Sequence, residues 1–150
     1  MKINWKSFAI TSLILICLIL CFYISIGLFI SGPKYQNDAK FETMKNHLIT
    51  QVSDIQEVER HVFRYVVYVG ESKDCYYFFN EEAKQITTRM KDATQYQKAL
   101  QKCKKDYGVQ DALKVGYGIK APVYTLENDD VLILLDYDTL EEVYYLKKGE

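Results

Sequence analysis

The sequence has few residues of the kinds that carry out catalysis or bind metals. It contains two histidines, His47 and His61, and neither has a companion at a useful spacing. His-x-x-x-His and Cys-x-x-Cys pairs are absent, as are a Gly-x-Ser-x-Gly motif and a phosphate-cradling glycine loop. These absences argue against a zinc site, a serine hydrolase and a nucleotide-binding loop. We therefore expect a protein that is not an enzyme and has no cofactor or metal.

A strong charge of either sign is also lacking. The chain has 19 Lys and Arg against 20 Asp and Glu, for a formal net charge of −1. Every acidic residue follows Pro33, so the long segment after this proline is acidic overall. Because nucleic acid binding depends on a basic surface, we expect no nucleic acid partner.

What the chain does have is one uncharged, apolar run from Ser7 to Ile30. At ~1.5 Å per residue, a helix of about 24 residues is about 36 Å long, enough to cross a hydrocarbon core of ~30 Å with some tilt. The run is too long for a signal peptide and no small-residue cleavage site follows it. We therefore predict an uncleaved transmembrane helix at residues 7–31.

Positive charges before the apolar run predict its orientation. Lys2 and Lys6 lie on the N-terminal side, and the positive-inside rule places that side in the cytoplasm. The predicted location is the cell membrane, with a single pass, a cytoplasmic N-terminus at residues 1–6 and the chain from about Lys34 onward outside.

The first part of the outer segment, residues 34–90, predicts a helix followed by strands. Apolar residues recur at helical spacing: Phe41, Met44, Leu48, Val52 and Ile55. The segment Val58–Val69 is rich in β-branched and aromatic residues, which favours one strand or two short ones. Further strands are predicted at Cys75–Phe79 and Lys84–Met90, separated by polar turns.

The second part, residues 91–150, repeats this order. Asp92 and Gln95 form a capping-box-like pair at the start of a predicted helix, and Gly108 is placed to end it. Period-two patterns then predict antiparallel strands: Leu113–Ile119, Pro122–Leu126, Val131–Tyr137 and Glu141–Leu146. The predicted fold class is α+β, with a membrane helix followed by two helix-plus-meander units. Since each unit is too small to bury much alone, we expect them to pack on one another.

Aromatic residues and cysteines supply the candidate site residues. Tyr76, Phe78 and Tyr144 lie in tyrosine-rich strands. Such rings either belong to the core or form a patch that contacts a partner. Cys75 and Cys103 lie in the outer segment and are candidates for a disulfide closing a loop of about 29 residues, worth about 3 kcal/mol. The alternative is two buried free thiols.

The order of these features resembles a known family. A single span, a helix, the segments VERHVFRYVVYVGES and CYYFFNEEAKQITTRM, a second helix and VLILLDYDTLEEVYYL together look like the TseB (YpmB-like) family of Gram-positive bacteria. That family carries tandem PepSY-like, cystatin-like domains. The sequence departs from the PepSY-like pattern at Leu140, where glycine is usual; leucine resists positive φ, which leaves room for a different turn type.

The resemblance implies a regulator of cell wall elongation that binds a penicillin-binding transpeptidase outside the membrane, with no catalytic residues. Two other classes stay open. One is a protease-inhibitor-like PepSY module, in which a strand edge or loop of the first unit occupies a protease cleft. The other is a structural subunit of a secretion or conjugation machine, which would use the same order of one span and a small α+β domain.

Overall fold

A computed structural model of the protein describes residues 5–28 and 32–149. The first helix, α1 (Trp5–Ile26), includes an apolar stretch, Phe8–Ile26, that is long and apolar enough to span a membrane. Its 22 residues make a helix about 33 Å long. The predicted N-terminal residues 1–4 and the predicted end of the span at residues 29–31 lie outside the described residues.

The second helix, α2 (Gly32–Gln51), ends earlier than its apolar spacing predicts. The chain divides between Thr43 and Met44 into two compact units, and the later one is called the folded unit below. In the folded unit Leu48 is completely buried, as expected of an apolar-face residue. Ile55, which the helical spacing included, instead begins a strand, because the chain turns at Ser53 and Asp54.

The described residues form two antiparallel sheets of four strands each, both in the folded unit, so the chain is a mixed α+β protein. The first sheet has the order β1-β2-β3-β4. Its strands are β1 (Ile55–Val62), β2 (Val66–Ser72), β3 (Cys75–Phe79) and β4 (Gln85–Met90). The segment Val58–Val69 is therefore divided between two strands that pair with each other, and β3 has the predicted bounds.

Helix α3 (Tyr96–Tyr107) precedes the second sheet and starts later than predicted. Gln95 is itself the N-cap and makes no side-chain capping bond, so the capping box with Asp92 is wrong. The Gln95 backbone N–H donates instead to the Tyr124 hydroxyl, 2.8 Å away on the sheet. A tertiary contact thus replaces the local one. Gly108 ends the helix in the left-handed conformation, with φ of 73°, as predicted.

The second sheet has the order β5-β6-β7-β8. Its strands are β5 (Lys114–Tyr117), β6 (Pro122–Glu127), β7 (Val131–Asp136) and β8 (Glu142–Lys147). The first of them is shorter than the predicted Leu113–Ile119. In the turn between β7 and β8, Leu140 has a φ of 60°. The leucine therefore adopts the left-handed conformation itself, and its side chain packs against the core of this sheet.

The two sheets share a core. The larger cluster combines α3 with one face of the second sheet: Ala99, Cys103, Leu113, Tyr124, Leu126, Val131, Ile133, Leu135 and Tyr137. A smaller cluster on the first sheet consists of Val67, Val69 and Phe78, with Val115 and Tyr117 of β5 packed against it. Tyr76 packs against both clusters. The guanidinium of Arg89 on β4 adds an ion pair, 2.8 Å from Asp138 in the second sheet's last turn.

Candidate functional site

The aromatic residues that were candidates for partner contact lie largely inside the fold. Phe78 is completely buried, so its assignment to a contact surface is wrong. Tyr76 is half-buried, with its ring 6.5 Å from that of Tyr137 in an edge-on arrangement. Tyr144 is also half-buried, and its ring lies 5.0 Å from that of Phe63. Tyr76 and Phe78 are two positions apart on β3, so they share the face of the first sheet on which Val115 and Tyr117 of β5 pack.

The two candidate cysteines are free thiols, so the proposed disulfide is not formed. Cys103 points from α3 into the larger core cluster, where burial raises the pKa of its thiol. Cys75 lies at the start of β3, with its Sγ 3.3 Å from the sulfur of Met90. Of the alternative of two buried free thiols, the free state is confirmed for both cysteines and the burial for Cys103, whereas Cys75 is partly exposed.

A cleft of about 560 Å³ lies between the end of β1 and the second sheet. Its apolar wall includes Leu132 and Leu134. The polar residues that line it come from both sheets, and the name His61 cleft is used for this set: Arg60, His61, Lys114, Thr125 and Glu127. The volume falls in the range of pockets that bind small ligands.

The imidazole of His61 lies directly on the backbone of β5. A Cβ atom added at Gly116 would come within 3 Å of three atoms of the ring, so only glycine fits opposite the histidine. Burial lowers the pKa of His61, and a hydrogen bond to the Tyr117 backbone opposes this change only in part. The ring is therefore neutral near pH 7. Its Nε2 is buried and has no hydrogen-bond partner among the described residues.

Thr125 supplies a second polar atom without a partner. The residue is only 8% exposed, and its Oγ1 makes no hydrogen bond within the described part of the chain. Thr125 is paired across the sheet with Lys114, so the two side chains project to the same face. A buried polar atom without a partner costs about 1–3 kcal/mol. Both atoms are enclosed by the fold and closed to the cleft, so each is a polar atom that the packing of the two sheets leaves without a hydrogen bond among the described residues.

The charges around the cleft are predominantly positive. Arg60 and Lys114 are exposed, and neither has an ion pair among residues 5–28 and 32–149. Glu127 is the carboxylate of the set, and the ammonium of Lys148 lies 2.8 Å from its Oε1. Because that lysine offsets the glutamate, the two free cations set the charge that a ligand would meet.

A second surface lies on the first sheet. Here Tyr65 is 55% and Ile86 is 42% exposed, although both are large apolar residues. They line a shallow groove of about 390 Å³ together with Asn80, Glu81 and Glu82. This set is called the Tyr65 groove. Exposed apolar side chains beside charged ones are typical of protein contact surfaces.

The groove runs onto an open sheet edge. Strand β4 is the last strand of the first sheet and pairs only with β3 within the described residues. An edge strand of this kind can accept a strand from another chain.

Sequence reasoning identified His61 only as a histidine without a companion. Its neighbours Thr125 and Glu127 are more than 60 positions away and lie in another sheet, so no motif could join them. One signal was available: Gly116 interrupts a strand pattern, and a glycine there often marks a close approach by another group. In the described residues no group of three or more His, Cys, Asp or Glu side chains could hold a metal ion.

Comparison with known proteins assigns this chain to no family. No protein-family model matches this chain, no curated protein is similar to it in sequence, and no solved structure matches its fold. The chain is thus defined by its architecture, an apolar helix of membrane-spanning length on an α+β protein with two small antiparallel sheets.

Proposed function

We propose that this protein is a non-catalytic, single-pass membrane protein that regulates cell wall elongation by binding a penicillin-binding transpeptidase outside the cell. The observation that carries the binding role is the Tyr65 groove, where Tyr65 and Ile86 remain exposed while Val67, Phe78 and Phe79 of the neighbouring strands are buried. The identity of the partner rests on the resemblance to the TseB family.

The chemistry of the groove describes the partner surface it would fit. Its apolar centre needs an apolar anchor, and the carboxylates of Glu81 and Glu82 at its rim complement a basic surface. Glu82 has an exposed ion pair with Lys84, 2.7 Å away, which contributes little to stability and can be exchanged for a partner's cation. The apolar helix α1 would anchor the chain in the membrane.

The test is photocrosslinking in living cells. A photoreactive residue replaces Tyr65 or Ile86 in the groove, and Lys105, which is exposed on α3, serves as the control position. We expect a penicillin-binding transpeptidase to be captured from the groove positions and not from the control. Capture of secretion or conjugation subunits alone at these positions, or equal capture of the transpeptidase at Lys105, contradicts the proposal.

The open edge of β4 favours a second candidate, a protease-inhibitor-like module. In that function the backbone of Gln85–Met90 would pair with an extended segment of a protease. Proline at Thr88 would remove one backbone donor on this edge and hinder strand addition, while Thr88→Val keeps the backbone unchanged. If Thr88→Pro weakens capture of a membrane protease and Thr88→Val does not, inhibition is favoured over regulation of wall synthesis.

A further inference from the structure

We propose that His61 is a pH-sensitive latch between the two sheets. In acid its ring leaves the contact with β5, moves into the His61 cleft and releases the part of β5 that lines the Tyr65 groove. This inference deepens the proposed function and rests on it only for the identity of the partner that the groove binds. The pH response belongs to the protein itself and can be measured without a partner.

The latch is the contact between the His61 ring and β5. His61 lies on β1, an edge strand of the first sheet, and its ring covers Gly116 so closely that no Cβ atom has room there. A hydrogen bond joins the ring to the backbone of the next residue, Tyr117. The ring therefore holds this part of β5 against the first sheet.

The contact accepts only the neutral ring. The Nε2 atom is enclosed by the fold and has no hydrogen-bond partner in the described part of the chain. A protonated imidazole carries an N–H on both nitrogens, so the charged ring would bury one donor without an acceptor. This burial is the main reason that the pKa of His61 is lowered.

The charged groups around the ring do not supply the missing acceptor. Glu127 favours the protonated ring, but its Oε1 already accepts a hydrogen bond from Lys148 Nζ, 2.8 Å away. Arg60 and Lys114 are cations, which disfavour another positive charge beside them. The strands packed around the ring bring these residues: Glu59 and Arg60 of β1, Lys114 of β5, Glu127 of β6, and the uncharged Val67 of β2 and Leu132 and Leu134 of β7.

The His61 cleft gives the protonated ring a route to water. The cleft has a volume of about 560 Å³ and begins at the ring itself. Rotation of the side chain into this space would hydrate both nitrogens, as the charged form requires. The same rotation would break the hydrogen bond to the Tyr117 backbone and uncover Gly116.

Tyr117 connects the latch to the Tyr65 groove. This residue of β5 also lines the groove, beside Tyr65 and Ile86 of the first sheet, and its ring lies 5.9 Å from that of Phe78. The groove is therefore built where β5 meets the first sheet. Release of the Tyr117 backbone would displace one wall of the groove and reduce its fit to a partner.

The direction of the response follows from proton binding. The released ring titrates near the ordinary value of 6.5, whereas the pKa of the enclosed ring is lower, so the open form binds the proton more tightly. The population of the open form should consequently rise as the pH falls below about 6.5, by at most about tenfold per pH unit.

Glycine and histidine signals test the latch directly. The full chain, labelled with ¹⁵N-glycine and ¹⁵N-histidine and held in lipid nanodiscs, is titrated from pH 7.5 to pH 5 by NMR. Gly116 and Gly118 flank Tyr117 and report on β5, and Gly70, which packs against apolar side chains in the first sheet, is the matched control. We expect the Gly116 and Gly118 signals to shift reversibly with the same midpoint as the His61 ring, while Gly70 stays constant.

Three results of this titration would overturn the proposal. The first is protonation of the His61 ring while Gly116 and Gly118 stay constant, which would mean that the ring is protonated in place. The second is a His61 midpoint equal to that of His47, which is exposed on α2. The third is a His61 ring that stays neutral down to pH 5.

A fluorine label tests the effect on the groove. 3-Fluorotyrosine in place of Tyr117 should give a ¹⁹F signal that shifts with the His61 midpoint, whereas the same label in place of Tyr35, which is exposed on α2, should not. His61→Gln should abolish the shift and His47→Gln should keep it. A Tyr117 signal that stays constant while His61 titrates would overturn the proposal. Failure of the proposed function would show separately, as missing capture of a transpeptidase at pH 7.5, and would leave these titrations unchanged.

Discussion

The turn after β3 in the first sheet and the turn after β7 in the second are closed in the same way by different residues. At the end of β3 the side chain of Asn80 accepts hydrogen bonds from the backbone of the following turn, and at the end of β7 that of Asp136 does so. Just before the next strand each turn has a residue in the left-handed conformation, Ala83 with φ of 59° and Leu140 with φ of 60°. The side-chain acceptor that holds each turn closed is thus sufficient without glycine.

The two sheets differ in the side chain that packs against a glycine of one of their strands. In the first sheet Gly70 makes room for the apolar side chain of Ile55, and in the second Gly116 makes room for the imidazole of His61. The first contact belongs to the core. The second places a polar ring beside an open cleft. In both sheets a strand glycine leaves space for a side chain from β1. In the first sheet this contact is part of the core, and in the second it lies beside a cleft that is a candidate binding site.

The largest effect is expected from filling the two glycine positions. Gly116→Ala should lower the free energy of unfolding by about 2–3 kcal/mol, because the added methyl group overlaps the His61 ring. Gly70→Ala should lower it by less, because the end of the Ile55 side chain can rotate away from the methyl group. Chemical denaturation of the full chain in detergent, followed by near-ultraviolet circular dichroism, measures both. The double variant His61→Ala/Gly116→Ala should recover part of the loss. Equal costs for the two alanine variants would contradict the proposed difference.

The next effect concerns α3, whose first turn depends on the second sheet. The Tyr124 hydroxyl accepts the Gln95 N–H and lies 2.8 Å from Thr94 Oγ1. Tyr124→Phe should therefore cost about 2 kcal/mol, because it leaves a part-buried backbone donor without a partner. Tyr117→Phe removes a more exposed hydroxyl that donates to the Lys120 carbonyl, and should cost less than about 1 kcal/mol in the same denaturation experiment. A Tyr124→Phe protein as stable as the wild type would show that α3 is capped in another way.

The pH dependence of stability tests the burial of His61. Burial lowers its pKa below the unfolded value of 6.5, so between the two values the unfolded chain binds more protons than the native one. Stability should consequently fall as the pH decreases from about 7.5 to about 5.5, and His61→Gln should remove this component. His47→Gln should keep it. The measurement is the denaturation midpoint across this pH range, and identical profiles for the two variants would rule out the assignment.

The smallest effects are expected at Ala83 and Leu140, the two residues in the left-handed backbone conformation. Ala83→Gly should stabilise the protein by less than about 1 kcal/mol, because relief of the unfavourable backbone conformation outweighs the loss of one small buried methyl group. Leu140→Gly should give a change near zero or a loss, because the same relief is offset by lost packing of the Leu140 side chain on the larger core cluster. Thermal melting of both variants measures the difference. An equal gain in both would indicate that Leu140 contributes no packing.

Most of the secondary structure could be predicted because it depends on local spacing. The period-two patterns located the strands, and β3 and Gly108 agree with their predicted positions. The errors arose where a distant group decided the outcome. The start of α3 follows the Tyr124 hydroxyl rather than the Asp92 and Gln95 pair, and Phe78 is buried because the second sheet packs on the face it occupies.

Three features could be predicted because each depends on residues close together in the chain: the apolar helix of membrane length, the two runs of helix and strands, and the absence of common catalytic motifs. Two other features became visible in the fold alone: Cys75 and Cys103 are not bridged, and His61 and Thr125 line the same cleft. Those outcomes depend on how the two sheets pack. Packing joins side chains that are far apart in the chain, and no local pattern records which of them will meet.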